Sequence, residues 1–390
     1  MIEFIDVTKI YQGNQLALDN VSLKIETGEF VCLVGTSGSG KTTAMRMINR
    51  MNIPTSGRIE IDNRDISKMN EVDLRRKIGY VIQQIGLMPH MTIYENIVMV
   101  PKLLKWSKDK LDKIARDLIE KADMPKSYLD YYPGELSGGQ QQRIGVLRAL
   151  AADQEIILMD EPFGALDPIT RETLQKLIKK LQKEMGKTVV FVTHDMDEAL
   201  SLSDKMAVMD KGTVIQYDTP QNILTNPANE FVKNMLGEER INQAKFDYDP
   251  VEKIMIDNPV KINMNEAARN AVRLMRDRRV DTLFVVDDDG VLQGHVDFFK
   301  INRKDIDSKK IKDFLKESSF VYSDTNIRDV IYHLNDLGYR NMPVLEKKTG
   351  KLVGLVTRAS VVSALYDSFW SDYEPEEDAK IYSTQDVEEA

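Results

Sequence analysis

The sequence predicts an α/β protein of two or more domains, with a repeated unit in its C-terminal part. The apolar run at residues 30–34 leads directly into a glycine-rich loop and a helical pattern, as a buried parallel strand does before a phosphate-binding loop. Apolar segments at 156–159 and 189–192 indicate further buried strands. Beyond about residue 240 a pattern of about sixty residues occurs twice, which indicates a repeated unit.

Length and composition predict a globular chain with more than one hydrophobic core. With 390 residues it exceeds the usual size of a single domain, and 42% hydrophobic with 29% charged residues is normal for a globular protein. No apolar run approaches the roughly eighteen residues of a membrane span. The N-terminus lacks the basic and apolar regions of a signal peptide. We therefore expect a chain that does not cross a membrane itself.

The single cysteine and the charge distribution indicate the redox environment of the protein and the kinds of partner it can bind. Cys32 has no partner within the chain, which suits a reducing cytoplasm; we expect a buried strand residue, with a reactive thiol as the alternative. Of the net charge of −9, residues 372–390 carry −7, with eight acidic side chains against one lysine. The near-neutral remainder argues against nucleic-acid binding. The tail at 371–390 is expected to be disordered, or to respond to ionic strength through charge screening.

The first candidate site is the loop at residues 35–42, between the predicted strand and a helix that begins near Lys41. Its glycines, lysine and threonine have the spacing of a phosphate-binding loop; a plain glycine-rich turn is the alternative. Backbone N–H groups from Ser37 to Thr42 would surround a β-phosphate, and Lys41 would bridge β- and γ-phosphate oxygens. The Thr42 hydroxyl would bind Mg²⁺, and Thr43 would lie near the α-phosphate.

Two carboxylates follow the second buried strand. Residues 155–159 lead into Asp160 and Glu161, where a phosphate-loop protein needs an acidic group for its metal. Asp160 would hold Mg²⁺ through water, and Glu161 would polarise the attacking water. A solvated acidic turn is the alternative interpretation.

The third buried strand, residues 188–193, is followed by His194. Open α/β sheets bind their ligands at the carboxyl ends of the strands. We therefore expect His194 to contact a γ-phosphate, with a purely structural histidine as the alternative. Gln83, which follows the apolar segment 78–82, is a further candidate unless it belongs to a plain polar loop.

A second anion cradle follows a helical insert that runs from residue 86 to about 134. Residues 136–140, Leu-Ser-Gly-Gly-Gln, place a hydroxyl and two glycines directly before a helical pattern. Bare N–H groups and the positive end of the helix dipole then point outward together. One nucleotide does not need two such loops from one chain.

These motifs resemble the nucleotide-binding subunit of an ATP-binding-cassette (ABC) transporter over about residues 1–240. The segment 136–140 is the signature that separates this family from other P-loop NTPases. The resemblance implies a P-loop ABC ATPase domain with a mixed sheet core, an antiparallel subdomain and a helical subdomain at about 86–150. The segments 80–83 and 88–90 are typical of importers. Gly164, where the family usually has serine, is a departure that removes no catalytic group.

The resemblance also assigns roles to individual residues. Tyr11 resembles the aromatic that stacks on adenine, and Gln83 the glutamine that senses the metal and the membrane partner. Asp167 resembles the key acid of the dimer-communication loop, residues 165–167. The catalytic candidates are Glu161 and His194. The ATP-binding candidates are Tyr11, Gly35, Ser37, Gly38, Ser39, Gly40, Lys41, Thr42, Thr43 and Gln83; the Mg²⁺ candidates are Thr42, Gln83 and Asp160; the signature candidates are Ser137, Gly138, Gly139 and Gln140.

The repeat resembles a tandem pair of CBS modules, a first copy over 241–308 and a second over 309–370. Each copy has a helix, an apolar strand, a glycine turn and a second strand that contains a glycine. Such pairs commonly bind adenine nucleotides in the cleft between copies. Ser360 stands where many nucleotide-binding copies have an aspartate, so a structural dimerisation module is the alternative. The ligand candidates by position are Val260, Val280, Thr282, Thr357 and Arg358.

An ATPase of this family with a C-terminal CBS pair is similar to importers of osmoprotectants such as glycine betaine, carnitine, choline or proline betaine. The resemblance implies Mg²⁺ with ATP, membrane permease subunits, an extracellular substrate-binding component, and a peripheral place at the cytoplasmic face of a prokaryotic cell membrane. The CBS pair would regulate transport in response to cyclic di-AMP or ionic strength. The alternatives are an importer of another class, such as one for amino acids, and an ATP-dependent dimer switch without transport.

The resemblance also explains the second cradle. In this family the signature of one chain closes on the γ-phosphate that residues 35–43 of a second copy hold. We therefore expect a head-to-tail sandwich of two chains with two ATP molecules.

Overall fold

The structure, a computed structural model, describes residues 1–82, 86–164, 166–301, 306–335 and 340–370. The chain divides into two compact units, Met1–Glu238 and Glu239–Ala390. Gln83, Ala165 and the acidic tail at 371–390 lie outside the described residues. Within the described ranges, no helix combines the length and the apolar character that crossing a bilayer requires.

The first unit alternates strands and helices, as the α/β prediction requires. Its strands are β1 (Ile2–Tyr11), β2 (Gln15–Ile25), β3 (Phe30–Gly35), β4 (Ser56–Ile61), β5 (Arg64–Asp65), β6 (Ile78–Val81), β7 (Ile156–Asp160), β8 (Thr188–Thr193), β9 (Lys205–Asp210) and β10 (Thr213–Asp218). Its helices are α1 (Lys41–Ile48), α2 (Glu71–Arg76), α3 (Ile93–Ile97), α4 (Met99–Leu103), α5 (Lys108–Lys121), α6 (Gly138–Leu150), α7 (Pro168–Met185), α8 (Met196–Leu202), α9 (Pro220–Thr225) and α10 (Glu230–Leu236).

The central sheet has the order β10-β9-β3-β8-β7-β6. Strands β9, β3, β8, β7 and β6 run parallel, and β10 is antiparallel to β9 at the edge. Every residue of β3, β7 and β8 is buried, as expected of strands with both faces covered. The loops that follow these three strands therefore emerge at one edge of the sheet, where such sheets bind ligands.

A second, antiparallel sheet has the order β2-β1-β4-β5. A tight turn through Gly13 and Asn14, both with positive φ, connects β1 to β2 and pairs Tyr11 with Gln15. The largest apolar cluster of the unit joins residues of this sheet, of α1 and of the central sheet. Cys32 is fully buried in β3, and burial raises the pKa of its thiol, which supports the structural interpretation over a reactive one.

Helix α6 packs directly on the edge strand β6. A methyl group added at Gly79 would collide with the carbonyl oxygen of Ala149 in the last turn of α6 and would lie 2.7 Å from Ile157 Cδ1. Only glycine therefore permits this approach of helix backbone to strand. This contact fixes the position of α6, the helix whose N-terminus lies in the signature segment 136–140.

The second unit is built from the predicted repeat. Its helices are α11 (Glu238–Tyr248), α12 (Ala268–Arg278), α13 (Ile327–Asn335) and α14 (Arg358–Trp370). Its strands are β11 (Ile256–Asp257), β12 (Lys261–Asn263), β13 (Thr282–Val286), β14 (Leu292–Asp297), β15 (Val321–Tyr322), β16 (Asn341–Leu345) and β17 (Leu352–Thr357).

The two copies of the repeat have the same strand pairing. Strand β12 is parallel to β13, which is antiparallel to β14, and β15, β16 and β17 repeat this arrangement. Strand β11 adds an antiparallel edge to β17. A shared apolar cluster of Phe284, Val286, Leu345 and Leu352 joins the copies across their central strands. The α/β prediction is confirmed in both units.

Replacing Gly79 with alanine should destabilise the first unit by about 1–3 kcal/mol, because overpacking forces the α6 backbone or Ile157 to move. Urea denaturation of the full chain measures this in the transition that ATP shifts to higher urea. Gly134→Ala is the matched control, since a methyl group there meets no atom within 4 Å and should change stability by less than about 0.5 kcal/mol. Equal midpoints for the two variants would contradict the packing argument.

Candidate nucleotide-binding site

A cavity of about 430 Å³ lies at the carboxyl ends of β3, β7 and β8. It brings together nine of the predicted site residues with three neighbours from the β1–β2 hairpin. The predicted residues are Tyr11, Ser37, Gly38, Gly40, Lys41, Thr42, Thr43, Glu161 and His194, and the neighbours are Gln15, Leu16 and Ala17. Tyr11 stands at the rim, 37% exposed, with its hydroxyl 3.5 Å from Thr43 Oγ1.

The glycine-rich loop holds a conformation that ordinary side chains would prevent. Gly38 and Gly40 have φ of +82° and +100°, and a methyl group at Gly40 would press on the Ala17 carbonyl. Helix α1 starts immediately afterwards without a side-chain cap. Ser39 Oγ is buried, and it has no hydrogen-bond partner within the described part of the chain. The loop thus presents free donors at a helix N-terminus, which is the arrangement that binds phosphate.

Lys41 is held inside the loop by its own backbone. Its Nζ donates to the carbonyl oxygens of Gly35 and Thr36, each at 2.8 Å, and the residue is only 7% exposed. Burial lowers the pKa of this ammonium group, while Glu161 and Asp160 act in the opposite direction. The cation is therefore desolvated and fixed in place before any anion arrives.

A hydroxyl and a carboxylate meet beside the loop. Thr42 Oγ1 donates to Asp160 Oδ1 at 3.0 Å, and Arg46 Nη2 lies 3.4 Å from Asp160 Oδ2. Hydroxyl, carboxylate and phosphate oxygens are the hard ligands that Mg²⁺ prefers, so this pair fits a magnesium ion that accompanies a nucleotide. Gln83, the third predicted metal residue, lies outside the described residues.

Glu161 and His194 face one another across the cavity wall. His194 Nδ1 lies 3.3 Å from Glu161 Oε1, with the histidine 66% and the glutamate 27% exposed. Glu161 has φ of +44°, a strained conformation for a residue with a side chain that costs about 1–3 kcal/mol. Its N–H donates to the Val192 carbonyl at 3.0 Å, which continues the β7–β8 pairing by one residue. The surrounding structure therefore enforces the direction of this carboxylate.

The signature residues Ser137, Gly138, Gly139 and Gln140 do not line this cavity. Ser137 caps α6 by a reciprocal pair: its N–H donates to Gln140 Oε1 at 2.9 Å, and its Oγ accepts from the Gln140 N–H at 3.4 Å. A methyl group at Gly139 would collide with Thr170 Cγ2 at the start of α7. Asp167 caps α7 through the Thr170 N–H at 3.1 Å, and this hydrogen bonding lowers the pKa of its carboxyl group. The signature residue Gly139 thus packs against the start of α7, the helix that Asp167 caps.

A larger cavity, of about 720 Å³, lies in the second unit between the two repeats. Its lining residues are Thr282, Phe284, His295, Asp297, Glu317, Ser318, Ser319, Phe320, Arg340, Asn341 and Pro343. His295 Nδ1 and Ser318 Oγ are 2.7 Å apart, and Lys316 donates to Asp297 at 2.6 Å, which lowers the pKa of that carboxyl group. The wall therefore combines fixed charges, hydroxyl groups and aromatic rings.

Of the five predicted ligand candidates in this unit, only Thr282 lines the cavity. Val260 and Val280 pack against the apolar core of the first repeat. Thr357 exchanges hydrogen bonds with Ser360 at the start of α14, and Arg358 donates to the Leu334 carbonyl at 3.2 Å. The sequence did contain a signal for the missed lining residues. His295 and Asp297 follow Gly294 as Leu355 and Thr357 follow Gly354 in the second copy.

Comparison with known proteins agrees with both units. The ABC transporter family model matches residues 18–164, and the CBS domain model matches residues 251–303 and 308–367. The chain is 53% identical, over 96% of its length and 94% of the relative's, to the carnitine transport ATP-binding protein OpuCA of Listeria monocytogenes. It is 50% identical to the glycine betaine/carnitine/choline transport ATP-binding protein OpuCA of Bacillus subtilis, over 96% of this chain and 98% of that protein.

A solved structure resembles the first unit. It is a dimeric ATP-binding cassette in a post-hydrolysis state bound to ADP and Pi, with a TM-score of 0.51 and 38% identity, covering 56% of this chain and 99% of that one. The resemblance inferred from the motifs is thereby confirmed. The chain belongs to the ABC transporter family, as an ATP-binding protein that carries a pair of CBS domains after its ATPase domain.

Proposed function

We propose that this protein hydrolyses ATP to drive the import of quaternary-amine osmoprotectants such as glycine betaine, carnitine and choline. The observation that supports ATP hydrolysis is that Lys41, Glu161 and His194 line one cavity at the ends of the strands. The substrate class rests on relatives that are named for the transport of carnitine, glycine betaine and choline. An importer of another class and a dimer switch without transport are the alternatives.

The residues of the cavity divide the work of phosphoryl transfer. The loop N–H groups and Lys41 bind the β- and γ-phosphates, and Tyr11 stacks on the base at the rim. Thr42 and Asp160 would hold Mg²⁺, which when bound neutralises charge on the phosphates. Glu161 accepts the proton of the attacking water, and His194, 3.3 Å from it, contacts the γ-phosphate.

Each complete site is formed by two chains. Residues 137–140 stay outside the cavity of their own chain, and Ser137 and Gly138 are exposed at the N-terminus of a thirteen-residue helix. An exposed helix N-terminus binds anions, so it can close on the γ-phosphate of a second copy. The motor would attach at the cytoplasmic face of the membrane to permease subunits, which receive solute from an extracellular binding component.

Glu161→Gln should reduce ATP turnover by about a hundredfold or more, because the amide cannot accept the water's proton. ATP binding should persist, and the variant should accumulate as an ATP-bound dimer in size-exclusion chromatography. Glu155→Gln is the matched control, since it makes the same change at the exposed opposite end of β7. Turnover equal to that of the unchanged protein would remove Glu161 from the role of base.

Ser137→Arg should bind ATP but lose hydrolysis, because the bulky cation prevents the signature from closing. Lys41→Ala should lose ATP binding. If each site uses two chains, a mixed dimer of these two inactive variants contains one intact site and should recover ATPase activity. Mixing at increasing ratios measures this recovery. Mixed dimers that form but stay inactive would contradict a site shared between chains.

The C-terminal pair would regulate the motor. The cavity with Arg340, Phe320 and several hydroxyl groups suits a ligand with phosphates and an aromatic base. We propose cyclic di-AMP as that ligand, restraining transport, with ionic strength sensed through the acidic tail as the alternative signal.

Full-length protein should bind cyclic di-AMP in the micromolar range by calorimetry. Arg340→Ala should weaken binding at least about tenfold, because it removes a phosphate partner. Arg358→Ala, at the position that the sequence predicts, is measured beside it for comparison.

Uptake of labelled glycine betaine by the reconstituted transporter in vesicles should then fall with internal cyclic di-AMP. Absence of binding, with uptake that still follows internal salt, would favour ionic strength. Absence of uptake of any quaternary amine would reject the substrate class.

A further inference from the structure

Gln142 joins the signature helix to the segment that carries Glu161. It lies in the second turn of α6, five residues after Ser137, and is 3% exposed. Its side-chain Nε2 donates to the carbonyl oxygen of Pro162 at 2.7 Å. Pro162 is itself buried and directly follows Glu161. A buried polar side chain thus links α6 to the segment after β7 through a hydrogen bond to a backbone carbonyl.

The backbone of Glu161 is fixed from both sides. Its own N–H donates to Val192 of β8 at 3.0 Å, and the carbonyl of the next residue receives the Gln142 amide. The φ of +44° at Glu161 persists only where surrounding contacts enforce it. Proline cannot donate a backbone N–H, so the carbonyl is the backbone hydrogen-bonding group through which residue 162 can be held.

We propose that Gln142 is a positioning residue for ATP hydrolysis, which holds Glu161 in its reactive direction and ties it to α6. The proposal rests on the role of Glu161 as base that is argued above. The tight approach of Gly139 to Thr170 is a second contact between the same helix and the segment after Glu161. Movement of α6 therefore reaches Glu161 through Pro162.

Gln142→Met tests the proposal, because methionine keeps the length and volume of the side chain and loses the donor. The kcat for ATP should fall about ten- to a hundredfold, as expected when a catalytic group is displaced, with KM for ATP within about twofold. The matched control is Gln182→Met. Gln182 is likewise buried at 5% and donates to the carbonyls of Gly28 and Lys187, near the opposite, amino ends of the strands. That variant should keep kcat within about twofold.

A double variant separates positioning from a general loss of structure. In a Glu161→Gln background, single-turnover hydrolysis should show no further loss when Gln142→Met is added, because the group that Gln142 positions is already absent. A full additional loss in the double variant, a rise in KM instead of a fall in kcat, or equal effects of Gln142→Met and Gln182→Met would each overturn the proposal.

Two further controls keep the outcome clear. If Gln142→Met does not fold, Gln142→Leu removes the same donor with a different shape and should give the same loss of kcat. The single variant Glu161→Gln tests the proposed function by itself: if it turns over ATP normally, the assignment of the base fails. If it is inactive while Gln142→Met behaves like Gln182→Met, only the inference about Gln142 fails.

Discussion

The register of three neighbouring parallel strands determines the nucleotide site. Val34 of β3 pairs with Thr193 of β8, and Asp160 of β7 pairs with Val192 of the same strand. These pairings bring the glycine loop, the two carboxylates and His194 to one edge of the sheet, although Thr42 of the loop and Asp160 are 118 residues apart in sequence. A shift of one residue in either pairing would turn every side chain of that strand to the other face and displace the loop that follows it.

Strain and desolvation then give the aligned groups their chemical character. Lys41 is buried against two carbonyls, and Glu161 is held with a positive φ, so neither group is in its relaxed state. Both conditions cost free energy in the folded chain, and both reduce the reorganisation that a bound phosphate would require. The stable core of β3, β7 and β8 offsets this cost, because every residue of those strands is buried.

Patterns that are continuous in the sequence predicted the fold and most of the nucleotide cavity. The apolar strands, the loop at 35–42, Glu161 and His194 could each be read within a few residues, because local periodicity and strand ends locate them. Contacts between distant residues could not be read in this way. The bond from Gln142 to Pro162 and the approach of Gly139 to Thr170 depend on how α6 packs. In the second unit, Val260 and Val280 join an apolar core, whereas His295 and Asp297 line the cavity.

The second anion cradle, residues 136–140, is stable within a single chain because its own side chains cap the N-terminus of α6. Within one chain, Ser137 and Gln140 satisfy one another's backbone N–H groups, and the Ser137 hydroxyl accepts at 3.4 Å, which is long for a hydrogen bond. Phosphate oxygens carry negative charge and would accept more strongly from the same N–H groups. In the proposed two-chain site, this weak internal cap would be exchanged for the γ-phosphate of ATP bound to the partner. Because α6 also reaches Pro162 through Gln142, that exchange is linked to the backbone of the residue proposed to activate water in the same chain's own site.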